Sequence, residues 1–333
     1  MKVLHIVVAR CFDDVLIELC TMLVEHDLVC VHIDRKSSSS NIPPFFKNHP
    51  NFILCEPRIK VYHGDFSIIE AYMQAYELCR PLLTGVDYIN VLSGQDYPVR
   101  ELSDFRTFLE ENKGRSYINI VPVPVTDNTY HNGSMNQPFM STVNWPGKKP
   151  IYFFDRMNSF NYIWSGNKLD VLQYRSYPFE KNRTLYSIIR WVKKYRTFNR
   201  LNNQLRGWRP IPEFPVYGGS AWITVTYDVM EFFRASLLDS KNKKIISYLR
   251  RLKYADEFTI QTLLMNLRYP RMDMIINSDL RYINWTKADF YGHPAFVREE
   301  DISLISQSNA FFCRKADKTS IDLINQHLLN RPT

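Results

Sequence analysis

Apolar runs and stretches of helical spacing alternate along the first third of the chain. Continuous apolar, β-branched runs predict strands at residues 3–8, 28–33, 51–54 and 88–92. Apolar positions three and four apart predict helices at 13–23 and 67–79. Because such strands are apolar on both faces and are joined by helices, we expect an α/β fold with a mostly parallel, Rossmann-like central sheet flanked by helices.

The rest of the chain is less regular. A further strand is predicted at 218–225, and a helix at 256–267 begins with acidic residues, as helix N-termini favour. Residues 120–180 lack clear periodicity and are predicted to form loops. The length of 333 residues fits one large α/β domain or two smaller ones.

Composition and charge narrow the class of protein. Hydrophobic residues make up 45 % and charged residues 23 %, which is typical of a packed globular fold. The net charge of +8 favours anionic partners. No apolar stretch reaches the length of about 18 residues that a membrane span needs. None of the 6 cysteines forms a CxxC pair, which predicts buried thiols in a reducing compartment.

Basic and aromatic residues are interleaved in the segment 185–208, as in Arg190-Trp191 and Lys194-Tyr195. One interpretation is a solvated helix face. The other is a surface that lies on anionic lipid headgroups. Nucleic-acid binding is the least favoured use of the charge, because acidic residues are interleaved and no known module is present.

In parallel sheets of this kind, ligands bind beyond the carboxyl ends of the strands. The candidate site residues therefore follow the strands, at 8–10, 34–36, 62–67 and 93–98. The chain has no GxGxxG, no GxxxxGK[ST] and no DxD motif. A diphosphate would thus have to be bound by Arg and Lys rather than by a metal held between aspartates.

Seven short motifs in register carry a family resemblance. They are CVHIDRKS at 30–37, VY at 61–62 with FS at 66–67, LSGQDYP at 92–98, GSAW at 219–222, DEF at 256–258, RYINW at 281–285, and RK at 314–315 before Asp317. With these motifs the chain resembles the core-2/I-branching β-1,6-N-acetylglucosaminyltransferases, a family that includes the peptide O-xylosyltransferases. The resemblance covers most of the chain and is weakest between about 120 and 210.

The resemblance implies a single GT-A type catalytic domain over 1–333. It implies a nucleotide-sugar-binding half at 1–118, a variable, loop-rich and basic insertion at 119–210, and an acceptor and catalytic half at 211–333. It also implies an inverting transferase that takes N-acetylglucosamine from a UDP-sugar without a metal or other cofactor. Xylose or another hexose is the alternative sugar, and a non-catalytic sugar- or nucleotide-binding protein is the alternative class.

Glu257 matches the catalytic glutamate of the family. A carboxylate at this position can take the proton of the acceptor hydroxyl as that hydroxyl attacks the sugar. Without the resemblance, Asp256 and Glu257 would be interpreted as helix-capping acids. The motifs also imply substrate contacts for Ser220, Asp256 and Trp285. Trp285 alone would be interpreted as a core residue, whereas a site tryptophan could stack on a sugar.

Two basic positions are implied for the diphosphate. Lys315 matches the diphosphate-binding lysine of the family, and Arg314 lies beside it. The second cation corresponds to His293 by counting back from Asp301, and to Arg298 by residue type, which we slightly prefer. Both of these are otherwise surface-loop residues.

The donor nucleotide is expected over the first strands. Positions matching the donor loops of the family are Val8, Ala9, Arg10, Asp34, Arg35, Lys36, Ser37, Tyr62 and Gly64. Asp96 could hold a donor-sugar hydroxyl, and on its own it would be interpreted as a turn residue before Pro98.

Animal members of the family have an N-terminal membrane anchor, a stem and disulfides. This sequence shows none of these, and we expect a bacterial cytoplasmic relative, peripheral at the inner face of the membrane. The acceptor is expected to be a glycan or lipid-linked oligosaccharide of a surface polysaccharide.

Overall fold

A computed structural model describes residues 1–37, 42–123, 161–164, 167–170, 213–252, 254–285, 287 and 293–331. Most of the predicted insertion at 119–210 lies outside these residues. The whole basic and aromatic segment at 185–208 also lies outside them.

The strands are β1 (Val3–Ala9), β2 (Leu28–Ile33), β3 (Phe52–Leu54), β4 (Tyr88–Ser93), β5 (Asp96–Pro98), β6 (Ser116–Tyr117), β7 (Val121–Val123), β8 (Asn161–Trp164), β9 (Asn167–Asp170), β10 (Val216–Gly218), β11 (Thr224–Thr226), β12 (Ile275–Ile276), β13 (Arg281–Ile283) and β14 (Phe312–Arg314). The helices are α1 (Asp14–Val24), α2 (Pro44–Lys47), α3 (Ser67–Cys79), α4 (Leu102–Glu111), α5 (Tyr227–Leu238), α6 (Lys243–Leu249), α7 (Thr259–Asn266), α8 (Glu299–Gln307) and α9 (Lys318–Ile324).

Within the described residues, seven strands form the central sheet in the order β12-β6-β11-β4-β1-β2-β3. Strands β3, β2, β1 and β4 run parallel, β11 is antiparallel to both of its neighbours, and β12 is parallel to β6. This is a mostly parallel α/β sheet of the GT-A type, which confirms the predicted fold class. The four strands and two helices predicted in the first third are confirmed, with bounds that shift by one residue at most.

Helices cover both faces of the sheet, which explains the continuous apolar runs of its strands. Side chains of β1 alternate between two buried clusters. Leu4 and Ile6 join α3 and α5 on one face, and Val3 and Val7 join α1 and α4 on the other. Helix α1 begins where Asp13 accepts a hydrogen bond from the Leu16 N–H at 3.0 Å.

The predicted single strand at 218–225 is wrong. The chain forms β10, leaves strand geometry at 219–223, and then forms β11 in another sheet. The close approach of Gly219 to another segment explains the break. A Cβ on Gly219 would lie 1.8 Å from the Asn119 carbonyl oxygen, so only glycine fits there.

The predicted helix at 256–267 begins three residues later than expected. A 3-10 turn at Ala255–Glu257 precedes α7, and Tyr254 before it has a left-handed φ of 64°. The N-cap of α7 is Phe258, with no side-chain cap, and its first turn contains no acid. Asp256 and Glu257 therefore lie before this helix and not in its first turn, so the prediction that the helix begins with acidic residues is wrong.

A second, three-stranded sheet has the order β13-β14-β5. Its register places Arg314 of β14 opposite Asp96 of β5, and Ile283 of β13 beside Arg314. This small sheet therefore brings three of the sequence motifs together next to the end of β4.

All cysteines are free thiols, and each is buried except Cys11, which is half-exposed. Their predicted burial is thus confirmed for all but Cys11. Burial raises the pKa of the Cys20 and Cys313 thiols. Among the described residues, no helix has the length and apolar character that a membrane crossing needs.

Candidate functional site

The carboxyl ends of β1, β2 and β4 meet at one edge of the central sheet. The Asp34 N–H donates to the Ala9 carbonyl at 2.9 Å, and the Gly94 N–H donates to the Val8 carbonyl at 3.1 Å. Val8 and Ala9 are buried and Arg10 is exposed. Residues 8–10, 34 and 94 therefore lie together, as the strand topology predicted.

Asp34 joins two of the predicted donor loops. Its Oδ1 accepts from the backbone N–H of Lys36 at 3.0 Å and of Val61 at 3.1 Å. The Lys36 ammonium lies 3.4 Å from Asp34 Oδ2 and 4.2 Å from the centre of the Tyr62 ring. The predicted residues Asp34, Lys36 and Tyr62 thus form one surface beyond β2.

Neighbouring loop positions complete this surface. Arg35 is exposed, and its backbone N–H donates to the Ile59 carbonyl at 2.9 Å. Ser37 is half-buried and closes a turn, with its N–H 2.9 Å from the Asp34 carbonyl. Their backbones therefore hold the loop, while the Arg35 guanidinium reaches solvent.

Gly64 packs directly against Tyr254, which leads into the turn that carries Glu257. Gly64 has a φ of +62°, and a Cβ there would lie 2.4 Å from Tyr254 Cδ1. The Tyr254 N–H donates to the Gly64 carbonyl. This contact places the loop 62–64 beside the Asp256-Glu257 turn, although the two are far apart in sequence.

Glu257 is half-buried and is tied to a second loop. Its carbonyl oxygen accepts from the Gly219 N–H at 2.8 Å, and its own N–H donates to the Tyr254 carbonyl at 2.9 Å. Asp256 is half-buried and lies near Tyr72. The pKa of Tyr72 is raised mainly by the burial of its own hydroxyl and, to a smaller extent, by the Asp256 carboxylate. The Glu257 turn is thus held from both sides.

Ser220 lies inside the fold, with only 4 % of its surface exposed. Its hydroxyl accepts from the Trp222 N–H at 3.2 Å, and its carbonyl accepts from Gln261 Nε2 at 2.9 Å. Ser220 therefore holds the loop 219–222 in its conformation from the buried side of the loop. Any contribution to substrate binding would pass through that loop.

Asp96 is fully buried and is bound by two arginines. Its Oδ1 lies 3.3 Å from Arg314 Nη1, and its Oδ2 lies 3.3 Å from Arg281 Nε. Ser93 donates to it through both its hydroxyl, at 2.6 Å, and its N–H, at 3.2 Å. All of this acceptor capacity is used inside the protein, which favours a role for Asp96 in holding Arg314 over direct contact with a sugar.

The segment 295–297 pairs with Lys315. The Val297 N–H donates to the Lys315 carbonyl at 2.9 Å. The Phe296 ring lies 5.6 Å from the Lys315 ammonium and 5.5 Å from the Arg298 guanidinium. The predicted cations Lys315 and Arg298 thus lie around one aromatic ring.

The two candidates for the second diphosphate cation have different surroundings. Arg298 binds Asp317 with two hydrogen bonds, of 2.9 and 2.7 Å, and donates to Ser320 at 3.2 Å. The His293 ring lies 5.3 Å from the His63 ring, which is 5.6 Å from the Tyr254 ring. His293 is therefore on the side of the Glu257 turn, whereas the charge of Arg298 is compensated by Asp317.

Trp285 is half-buried and follows β13. The preceding Asn284 is buried and donates to Asp301 at 2.8 Å. Trp285 is not one of the residues that make up the two buried apolar clusters. Trp285 thus lies just beyond the end of β13.

Three residues that the sequence did not identify as site residues lie at the centre of this arrangement: Trp222, Tyr254 and Arg281. Arg281 is fully buried, and the Arg314 guanidinium lies 4.9 Å from the Trp222 ring. A charged residue that begins an otherwise apolar strand is the one signal that could have pointed to Arg281.

Within the part of the chain that the structure describes, no three His, Cys, Asp or Glu side chains are grouped so that they could hold a metal ion.

The comparisons with known proteins address the second half of the chain. Residues 158–308 match the family model for Core-2/I-Branching enzyme. A search of curated proteins finds no match. The matched range contains Ser220, Glu257, Trp285 and Arg298, and three of the seven motifs. This match covers a little under half of the chain and, together with the GT-A type sheet, makes the chain similar to the Core-2/I-Branching enzymes, a family of glycosyltransferases that join a nucleotide-sugar donor to a glycan acceptor.

Proposed function

We propose that this chain is an inverting, metal-independent glycosyltransferase that uses a UDP-sugar, with Glu257 as its general base. The observation that carries the proposal is the placement of the Glu257 turn. It is joined to the 62–64 loop through Tyr254 and to the 219–222 loop through Gly219. A half-buried carboxylate therefore lies where loops from the carboxyl ends of the strands converge, which is the ligand-binding edge of such sheets.

In the proposed reaction, an acceptor hydroxyl attacks C1 of the donor sugar from the face opposite UDP. The new bond joins the hydroxyl oxygen to C1, and the bond from C1 to the β-phosphate oxygen breaks. The hydroxyl proton passes to the Glu257 carboxylate, and the electron pair of the broken bond leaves with UDP. Inversion at C1 follows from this single displacement.

The leaving UDP gains negative charge on its β-phosphate. Arg314 and Lys315, which are adjacent in sequence at the end of β14, are the cations proposed to stabilise it. Fixed donors aimed at developing charge lower a barrier by about 3–4 kcal/mol each. Asp34, Lys36 and Tyr62 are proposed to bind the nucleoside end, since they form a surface beyond β2.

The sugar we propose is N-acetylglucosamine, transferred with β stereochemistry to a 6-hydroxyl, as the family resemblance implies. Xylose or another hexose is the alternative. The acceptor we propose is a glycan or lipid-linked oligosaccharide of a bacterial surface polysaccharide, used at the cytoplasmic face of the membrane. The net charge of +8 supports contact with anionic lipid. Flotation with anionic vesicles tests that part, and an absence of binding would remove it.

The direct test is UDP release from a panel of UDP-sugars in the presence of EDTA, for the native protein, Glu257→Gln and a control. Glu231→Gln is a suitable control, because Glu231 of α5 binds Arg80 and Tyr76 and none of these three is a proposed site residue. We expect one donor to be hydrolysed slowly in EDTA by the native protein and the control, and at least about a hundredfold more slowly by Glu257→Gln.

Two results would contradict the proposal. Release that requires added Mn²⁺ would exclude the metal-independent mechanism. Equal rates for the native protein and Glu257→Gln would exclude Glu257 as the base. If UDP binds but no donor reacts with or without glycan acceptors, a non-catalytic nucleotide-binding protein becomes the better description.

A further inference from the structure

A buried cluster of charges connects the central sheet to Arg314. We define the Asp96 cluster as Ser93, Asp96, Arg281 and Arg314. Arg281 and Asp96 have fully buried side chains, whereas the Arg314 side chain is 18 % exposed. Arg314 Nη1 also donates to the Ser93 hydroxyl. The cluster therefore runs from the interior of the fold to its surface at the end of β14.

Arg281 is held rigidly within this cluster. Its Nη2 donates to the Val91 carbonyl at 2.7 Å and to Asn90 Oδ1 at 3.3 Å, and its Nη1 donates to the Asp279 carbonyl. Asn90 is itself fixed by the Thr224 hydroxyl, which donates to Oδ1 at 2.9 Å. Because every direction of the guanidinium is bound, Arg281 holds the Asp96 carboxylate in one position.

The cluster carries more positive than negative charge. Two guanidinium groups share the single carboxylate of Asp96. The nearby Asp279 is not a member of the cluster; burial raises the pKa of its carboxyl, against a smaller opposite effect of Arg281. The excess charge lies toward Arg314, the only one among the two arginines and Asp96 whose side chain is partly exposed.

Arg314 retains donors for a ligand. Only its Nη1 donates to Ser93 and Asp96, and nothing in the described part of the chain accepts from its Nε or Nη2. Its guanidinium lies 4.9 Å from the centre of the Trp222 ring, which limits its rotation. A planar guanidinium with donors remaining on two nitrogens suits phosphate oxygens.

We propose that Asp96 and Arg281 are positioning residues that orient Arg314 toward the diphosphate of the donor, which supplies the anion that the cluster lacks. This inference rests on the proposed function, because it assumes that a uridine diphosphate binds beside Lys315. It assigns Asp96 a different role from contact with the sugar. It also assigns a role to Arg281, which touches no substrate.

The test compares affinities for UDP and uridine, since only UDP carries the diphosphate. UDP is measured by titration calorimetry, and uridine by competition against UDP. We expect Asp96→Asn to weaken UDP binding at least about tenfold and to leave uridine binding within about twofold of the native protein. Ser93→Ala, a smaller change that keeps every charge, should weaken UDP binding by about threefold and also spare uridine.

A double-mutant cycle separates positioning from general destabilisation. In an Arg314→Met background, Asp96→Asn should cause no further loss of UDP affinity, because there is no guanidinium left to orient. Glu231→Gln is the matched control, since it breaks another arginine–carboxylate pair and should not change the ratio of the two affinities.

Three outcomes would overturn the proposal. The first is an unchanged ratio of UDP to uridine affinity in both Asp96→Asn and Ser93→Ala. The second is full additivity of Asp96→Asn with Arg314→Met. The third is a native protein that binds neither UDP nor uridine, and this result alone would also contradict the proposed function.

Discussion

The ring of Tyr254 occupies the space that any side chain at position 64 would need. Gly64 has a φ of +62°, and a Cβ on it would lie 2.4 Å from Tyr254 Cδ1. Tyr254 in turn begins the 3-10 turn that carries Glu257. The loop 62–64 therefore packs closely against the proposed catalytic turn, and a substitution at Gly64 should displace Glu257.

Gly64→Ala should reduce both stability and activity. Alanine at a positive φ costs about 1 kcal/mol, and overpacking against Tyr254 adds about 1–3 kcal/mol. Displacement of Tyr254 should also lower kcat by moving the Glu257 turn. The free energy of unfolding by urea and the rate of UDP release measure these two effects.

Gly85 offers a matched control for that substitution. It has a φ of +76°, but no heavy atom lies within 4 Å of a Cβ placed on it. Gly85→Ala should therefore cost only about 1 kcal/mol and leave kcat unchanged. Equal losses of stability and activity in the two variants would show that the Tyr254 contact is not the cause.

The Arg298–Asp317 pair should make the free energy of unfolding depend on pH in the acidic range. Burial disfavours the Asp317 carboxylate, but hydrogen bonds from Arg298 and Ser320 outweigh burial and lower its pKa to about 2. The pKa of an unfolded aspartate is about 3.9. Because the folded pKa is the lower one, the pair stabilises the protein above about pH 4, and this stabilisation is lost as the pH falls toward about 2.

Asp317 caps α9 by accepting a hydrogen bond from the Ser320 N–H at 2.9 Å. Because asparagine can also cap a helix, Asp317→Asn removes the charge of the pair and keeps the cap. The Arg298 and Asp317 side chains are 40 % and 33 % exposed, so solvent screening reduces the expected loss to about 1 kcal/mol at neutral pH. Urea unfolding between about pH 4 and about pH 2 should show the free energies of unfolding of the native protein and Asp317→Asn becoming more similar as the pH falls. A constant difference would mean that the cap, and not the charge, is responsible.

Lys315 and Arg298 should contribute unequally to UDP binding. Both lie beside Phe296, but the charge of Arg298 is compensated by its two hydrogen bonds to Asp317. We expect Lys315→Met to weaken UDP binding at least about tenfold, and Arg298→Met by less than about threefold. Titration calorimetry measures both. A larger loss for Arg298→Met would identify Arg298 as the principal diphosphate cation.

The local pattern of apolar residues was sufficient to predict the strands and helices of the parallel half of the fold. Strand β1 is buried at every position, so its apolar, β-branched sequence is readable without knowledge of its neighbours. The break between β10 and β11 was not readable, because it depends on the approach of Asn119 to Gly219. The late start of α7 has a similar cause, since contact with Gly64 accompanies the left-handed conformation of Tyr254.

The candidate site was also predictable from the sequence only in part, because some of its contacts join distant segments. The topology of a parallel sheet predicted that residues after β1 and β2 would meet, and the contact between Ala9 and Asp34 confirms it. The burial of Asp96 was not predictable, because its partners Arg281 and Arg314 lie 185 and 218 residues further along the chain. Sequence pattern alone left Asp96 as a turn residue.

Tyr62 should contribute to binding of the nucleoside and not of the diphosphate. The Lys36 ammonium lies 4.2 Å from the centre of its ring, and Asp34 holds the loop that carries Lys36. Tyr62→Ala removes the aromatic surface, so uridine and UDP should lose affinity by the same factor, about fivefold to tenfold. Tyr62→Phe keeps the ring and should lose less than about twofold. The same competition and calorimetric titrations measure these factors. Loss of UDP affinity alone would place Tyr62 at the phosphates, and equal losses in both variants would assign its role to the hydroxyl.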